Sequence, residues 1–211
     1  FLGAITAGLV PVPTSAALTG PEITRLAGLV QPRLIVAADG IALPDPLPCL
    51  VLAAAELRAM ESLPPTDYVL GDPDRPAYII FTSGTSGRPQ GVVHAHRAIW
   101  ARGMMHQGWE GLTEADRLLH AGAFNWTYTL GTGLMDPWTC GATALIPGTG
   151  VTPAQLPLLM KRFDVTILAA APGVFRQMLR AAMPTGSKPC TTSSIAAIST
   201  PSRVIRPSLT S

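Results

Sequence analysis

The sequence predicts an α/β fold of alternating helices and largely parallel strands. Short apolar runs recur along it, at residues 33–37, 77–81, 117–121, 142–146 and 165–170. Segments with apolar residues at helical spacing lie between many of them, and the connections are brief. Strands joined through helices settle into a parallel sheet, because a parallel pairing needs a crossover to return the chain to the same edge. With 211 residues, 47% of them hydrophobic, the chain is long enough for one domain with a substantial core.

Residues 1–7 are apolar and stop at Gly8, which reads as a buried helix end with a glycine cap. Val10-Pro-Val-Pro13 continues as an extended piece. Thr19 caps the next helix, Pro21 sits in its first turn and Glu22 completes a capping box. Ile23, Leu26, Ala27 and Val30 then mark one face at i, i+3, i+4 and i+7. Residues 33–37 follow as a buried strand. From 38 to 76 repeated prolines suggest surface connection, with a strand candidate at 50–52 and a short helix at 54–61.

Ala77 to Phe81 is a strand running into a loop of hydroxyls and glycines, from which Val92-Val-His94 returns as a second strand. A helix is expected over 97–107. Residues 117–121 form a strand ending at Gly122, followed by Phe124, Trp126, Tyr128 and a helix to about residue 139. Residues 142–146 are the next strand. Thr152-Pro-Ala-Gln155 opens a helix with Leu156, Leu159, Met160 and Phe163 inward. Residues 165–170 and 172–183 close the series as strand and helix.

The loop from Thr82 to Gly91 is the most informative stretch. Thr82, Ser83, Thr85 and Ser86 bring four hydroxyls, and Gly84, Gly87 and Gly91 let the backbone turn its amides inward. Closely spaced N–H groups without bulky side chains suit the oxygens of a phosphate chain. A turn of this composition also forms without any ligand. The spacing is neither that of a Walker loop, which would need Gly and Lys where Pro89 and Gln90 stand, nor G-x-G-x-x-G.

Bulk properties exclude other classes. A net charge of +2 and 13% charged residues argue for neither a nucleic-acid nor a membrane-surface partner. No apolar run is long enough to span a bilayer. Cys49, Cys140 and Cys190 are isolated and suggest neither a disulfide framework nor a zinc site, so a reducing, cytoplasmic setting is expected. His94 and His96 would share a strand face, but without a third ligand they read as packing or surface residues rather than a metal pair.

Phe81-Thr-Ser-Gly-Thr-Ser-Gly-Arg-Pro-Gln-Gly-Val-Val-His-Ala-His96 resembles the phosphate-loop signature of the adenylate-forming superfamily, the AMP-dependent synthetases and ligases. Ala7-Gly-Leu-Val-Pro-Val-Pro13, the capped helix and Leu34-Ile-Val36 stand ahead of it in the superfamily's order. Gly131-Thr-Gly133, Leu134-Met-Asp-Pro-Trp138, Gly141-Ala-Thr143 and Ala171-Pro-Gly-Val174 fit it afterwards, most like the CoA ligases of small or aromatic acids. The resemblance covers about residues 1–184 and implies part of the family's large N-terminal domain. It implies ATP, Mg2+ and coenzyme A as reaction partners and a small carboxylate as substrate. A carboxylate would be activated as acyl-adenylate and then passed to the thiol. Phosphate contacts fall on Thr82, Ser83, Gly84, Thr85, Ser86, Gly87, Gln90 and Gly91, and the substrate pocket on Trp126 and Gly131.

One departure stands inside the loop: relatives usually carry lysine where this chain has Gln90, and Arg88 is the nearest compensating charge. The family's later adenine, ribose and C-terminal lysine motifs are not found after residue 183, so no complete catalytic set and no metal ligands are expected. The chain reads as a fragment, with 185–211 a Ser/Thr-rich tail that is disordered or out of frame. A catalytically inactive remnant with weak nucleotide binding, or a non-enzymatic α/β interaction module, are the competing readings.

Overall fold

The computed structural model describes residues 1–82, 88–148 and 150–182, together with the backbone of 203–205. These residues form two compact units, Phe1–His96 and Arg97–Ser211.

The first unit begins with α1 (Leu2–Thr6), and Gly8 then turns the chain at φ +76°. A Cβ at Gly8 would lie 2.8 Å from the Val69 side chain, so both conformation and space demand glycine there. α2 (Gly20–Val30) starts as its sequence predicts: the Glu22 carboxylate accepts from the Thr19 amide at 2.8 Å and its hydroxyl at 2.7 Å. Its inward stripe is also the predicted one, with Ala27 buried and Ile23, Leu26 and Val30 half-buried. β1 (Leu34–Ala37) pairs in parallel with β2 (Leu50–Ala53), Leu34 opposite Leu50. The stretch read as surface connection therefore supplies a strand partner, followed by α3 (Ala54–Ala59).

β3 (Pro76–Thr82) and β4 (Gln90–Ala95) form an antiparallel pair. His94 stacks on Tyr78, ring centroids 4.4 Å apart and planes 9° from parallel. His96 does not share its strand face, because the strand ends at Ala95 and His96 begins α4 (His96–Ala101).

In the second unit the expected helix over 97–107 breaks into the rest of α4, α5 (Gly103–Met105) and a π-helical turn, His106–Glu110. Gly103 and Gly108 are poor helix residues and mark the breaks. The chain continues through β5 (Arg117–Ala121), α6 (Thr127–Leu130), a second π-helical turn (Gly131–Met135), α7 (Asp136–Cys140) and β6 (Thr143–Leu145). α8 (Leu156–Arg162), β7 (Ile167–Ala170), α9 (Pro172–Ala182) and β8 (Arg203–Ile205) complete the order. The sheet runs β6-β5-β7-β8, with every pairing parallel. β8 lies inside the segment 185–211 that was expected to lack structure; the remainder of that segment is outside the described residues.

Alternation along β5 and β7 sorts the core into two faces. Leu118, Ile167 and Ala169 pack with Leu112, Ala142, Tyr128 and Cys140 on one side. Leu119 and Leu168 pack with Leu156, Val165, Leu159, Met160 and Val174 on the other. Residues of α6 and α7 thus cover one face and those of α8 and α9 the other, the doubly wound arrangement. Each buried Leu or Ile contributes about 2 kcal/mol. Phe163, expected inward, is instead 41% exposed beneath the Arg162 guanidinium, because α8 ends at Arg162 and releases it from the apolar stripe.

Candidate functional site

The hydroxyl-rich loop is closed at its stem by strand pairing. Thr82 stands opposite Gln90 and Phe81 opposite Gly91, so the antiparallel ladder holds the two ends of the loop together. Thr82, Gln90 and Gly91 are the predicted phosphate-contact residues that the structure places. Ser83, Gly84, Thr85, Ser86 and Gly87 lie outside the described residues. Gln90 and Arg88 are exposed beside the loop.

In the second unit a cleft of about 350 Å³ opens at the carboxyl ends of β5 and β6. Ala121, Gly122, Phe124, Ile146, Leu156 and Val174 are among the residues lining it. Such a crevice is where doubly wound sheets admit ligands, since adjacent crossovers leave on opposite faces. Neither Trp126 nor Gly131 lines it. Trp126 caps α6 and is 63% exposed, available to face a ligand rather than committed to the core. Tyr128, the third aromatic of the group, packs edge-on against His120 at 4.7 Å.

Gly131 is buried, and its missing side chain has a specific occupant. A Cβ there would fall on the guanidinium carbon of Arg102. Two residues on, a Cβ at Gly133 would sit 2.8 Å from the His120 side chain. The glycine pair on one π-helical turn thus makes room for two polar side chains.

Those side chains belong to a buried polar cluster that the sequence reading did not find. Arg102 donates from Nε to Asp136 Oδ1 at 2.6 Å and from Nη2 to Asp136 Oδ2, a two-pronged grip. Nη2 also donates to the Thr132 hydroxyl at 3.3 Å, and Thr132 donates to Glu110 Oε1 at 3.2 Å. His106 Nε2 lies 3.8 Å from Asp136 Oδ1. Glu110 is 3% exposed, and its Oε2 has no hydrogen-bond partner. Burial pushes the Glu110 carboxyl up to about 8, reinforced by the facing charge of Asp136. His120 is 2% exposed with both ring nitrogens unpartnered, and burial brings its imidazole down to about 4. The available signal was Asp136, a lone acid inside the apolar run Gly133-Leu-Met-Asp-Pro-Trp138.

A family model described as "AMP-binding enzyme" matches residues 1–210. Benzoate–CoA ligase of Thauera aromatica is 28% identical over 199 residues, covering 85% of this chain and 37% of that protein. The 3-hydroxybenzoate–CoA/4-hydroxybenzoate–CoA ligase of the same organism is 32% identical over 108 residues, 51% of this chain and 21% of that protein. Among solved structures, a benzoate CoA ligase from Burkholderia xenovorans LB400 superposes with a TM-score of 0.73 at 22% identity. That match covers 88% of this chain and 39% of the other. The N-terminal subdomain of Klebsiella oxytoca NpsA, bound to 3-hydroxybenzoyl-AMSN, gives 0.74 at 23% identity, covering 84% and 44%. The chain therefore spans less than half the length of these relatives.

Proposed function

The chain belongs to the AMP-binding enzyme family, and from this premise we propose that it carries the ATP-phosphate cradle and one pocket wall of an AMP-forming acyl- or aryl-CoA ligase. The observation that carries the proposal is the β3–β4 register, which pins Thr82 against Gln90 at the two ends of the Ser/Thr/Gly stretch. In this reading Thr82, Ser83, Gly84, Thr85, Ser86, Gly87, Gln90 and Gly91 hold the β- and γ-phosphates, through amides and hydroxyls that suit anionic oxygens. Trp126 and Gly131 belong to the carboxylate side, with the exposed indole as an apolar wall shielding the acid from water. Residues 1–184 are the share of the N-terminal domain that does this.

The chemistry follows from the donor set. A carboxylate and a triphosphate are both anions, so activation at the α-phosphorus requires their charges to be offset while pyrophosphate leaves. Magnesium, bound with the nucleotide, supplies part of that compensation. Gln90 donates hydrogen bonds but adds no charge, so its support of the leaving group is weaker than that of a lysine. Transfer to coenzyme A would follow by thiol attack on the acyl-adenylate.

This charge deficit favours a second outcome, nucleotide binding without turnover. Calorimetry with millimolar ATP is expected to show heat of binding; folded protein with none would leave only the interaction-module reading. Pyrophosphate release is expected to be undetectable with benzoate, hydroxybenzoates and short aliphatic acids. Clear release with any of them would show that Gln90 suffices.

A further inference from the structure

Within the second unit, Glu110 and Asp136 put two carboxyl groups into one buried cluster with a single guanidinium. Arg102 spends its two-pronged grip on Asp136, and it also donates to the Thr132 hydroxyl, which donates to Glu110. That hydroxyl serves Glu110 Oε1, while Oε2 is buried with no donor. Asp136 hangs on the same Arg102–Thr132 chain, and its charge acts on the Glu110 carboxyl, yet two ionised carboxylates have no proton to put between them. A proton on Glu110 removes both difficulties: Oε2 becomes a donor, and Asp136 accepts from it.

We propose that Glu110 and Asp136 share one proton, and that this proton locks the segment 126–136 onto the turn 106–110. Glu110 is the neutral partner and donates to the Asp136 carboxylate, which Arg102 neutralises from its other side. The elements joined by this bond are the two π-helical turns and the start of α7, the same turn that carries Gly131 and follows Trp126. The lock is a positioning device, with Glu110 acting through Thr132 and Asp136 on that turn. It is independent of whether the chain binds ATP.

The groups facing Glu110 pull both ways, and burial with Asp136 outweighs Arg102 and the Thr132 hydroxyl. Asp136 from α7 raises the cost of a second negative charge, and Arg102 lowers it. His106, on Glu110's own turn, faces Asp136. The Tyr128 phenol on α6 is pushed up to about 12, by burial first and by the Glu110 charge second. The proton is retained in the folded state and lost in the unfolded chain above the ordinary glutamate range, so stability falls as pH rises toward 8.

The test is a pH series on the whole chain. Wild type is expected to show an unfolding equilibrium constant that rises roughly twenty-fivefold between pH 6.5 and 8.5. Infrared difference spectra should show a protonated-carboxyl band at neutral pH that disappears over the same range. Glu110→Gln, which keeps a neutral donor at this position, should fold, flatten the profile and lack the band. Glu114→Gln, on an exposed neighbour, should change neither. The emission of Trp126, taken as the difference from Trp126→Phe, should shift with the same midpoint in wild type and stay constant in Glu110→Gln. A flat wild-type profile without the infrared band overturns the proposal, even if the glutamine variant fails to fold. So does a glutamine variant with the wild-type slope, and a Trp126 signal indifferent to the titration overturns the positioning role.

Discussion

Gly131 and Gln90 show how differently a residue reads once its neighbours are known. The resemblance sets Gly131 on the carboxylate side, and a Cβ there would fall on the Arg102 guanidinium. Gly131→Ala is expected to destabilise the second unit by about 2–3 kcal/mol, as overpacking does in a filled site. The loss should appear as a lower urea midpoint and shrink in an Arg102→Ala background, where the added methyl has space. Equal losses in the two backgrounds would remove the packing argument. Gln90 stays where the sequence put it, exposed beside the loop stem. Gln90→Lys should tighten ATP by five- to tenfold, about 1–1.4 kcal/mol for one added charge-assisted contact. Unchanged affinity in calorimetry would remove the charge argument.

Among the elements, the two π-helical turns, the start of α7 and the strand β5 carry most of the second unit's buried polar side chains. Asp136→Asn leaves Arg102 buried beside a neutral amide, and the cost should be about 3–5 kcal/mol in urea or thermal unfolding. His120 on β5 and Glu110 oppose one another with pH. The folded His120 is depressed to about 4, so its contribution is complete above the ordinary histidine range and is lost as pH falls through 4. The folded Glu110 is raised to about 8, so its contribution is complete below the ordinary glutamate range and is lost as pH rises through 8. Between pH 6.5 and 4 the two changes are of similar size and opposite sign, and wild-type stability should be nearly flat. Glu110→Gln should expose the histidine alone and lose about 2–3 kcal/mol over that interval. A flat acid limb in that variant would contradict the buried state of His120.

At the scale of the whole molecule, two units each hold a share of the proposed chemistry, the phosphate loop in one and the carboxylate wall in the other. Among the described residues no helix is long and apolar enough to cross a membrane. The parallel β6-β5-β7-β8 sheet matches the expectation of alternating helices and strands, since hydrophobic runs and capping boxes are local signals. Thr19–Glu22 and Thr152–Gln155 form their caps as the sequence indicates. Fold class, the order of elements and the β3-loop-β4 hairpin were legible for that reason: each depends on spacing along the chain. Membership of the family was legible from the loop itself.

What the sequence left open lies in contacts between distant residues. The parallel partnership of β1 with β2 crosses a proline-punctuated segment and depends on Leu34 meeting Leu50. Two π-helical turns interrupt what periodicity would draw as continuous helix, and they do so where Arg102, Glu110, Thr132 and Asp136 need side-chain room. Arg102 and Asp136 are 34 positions apart, and no spacing rule connects them. Local pattern chose the strands and helices and marked the loop. The tertiary structure alone decided that Gly131 lies against a guanidinium and that two carboxyl groups join one buried cluster, because burial turns such distant encounters into large free energies.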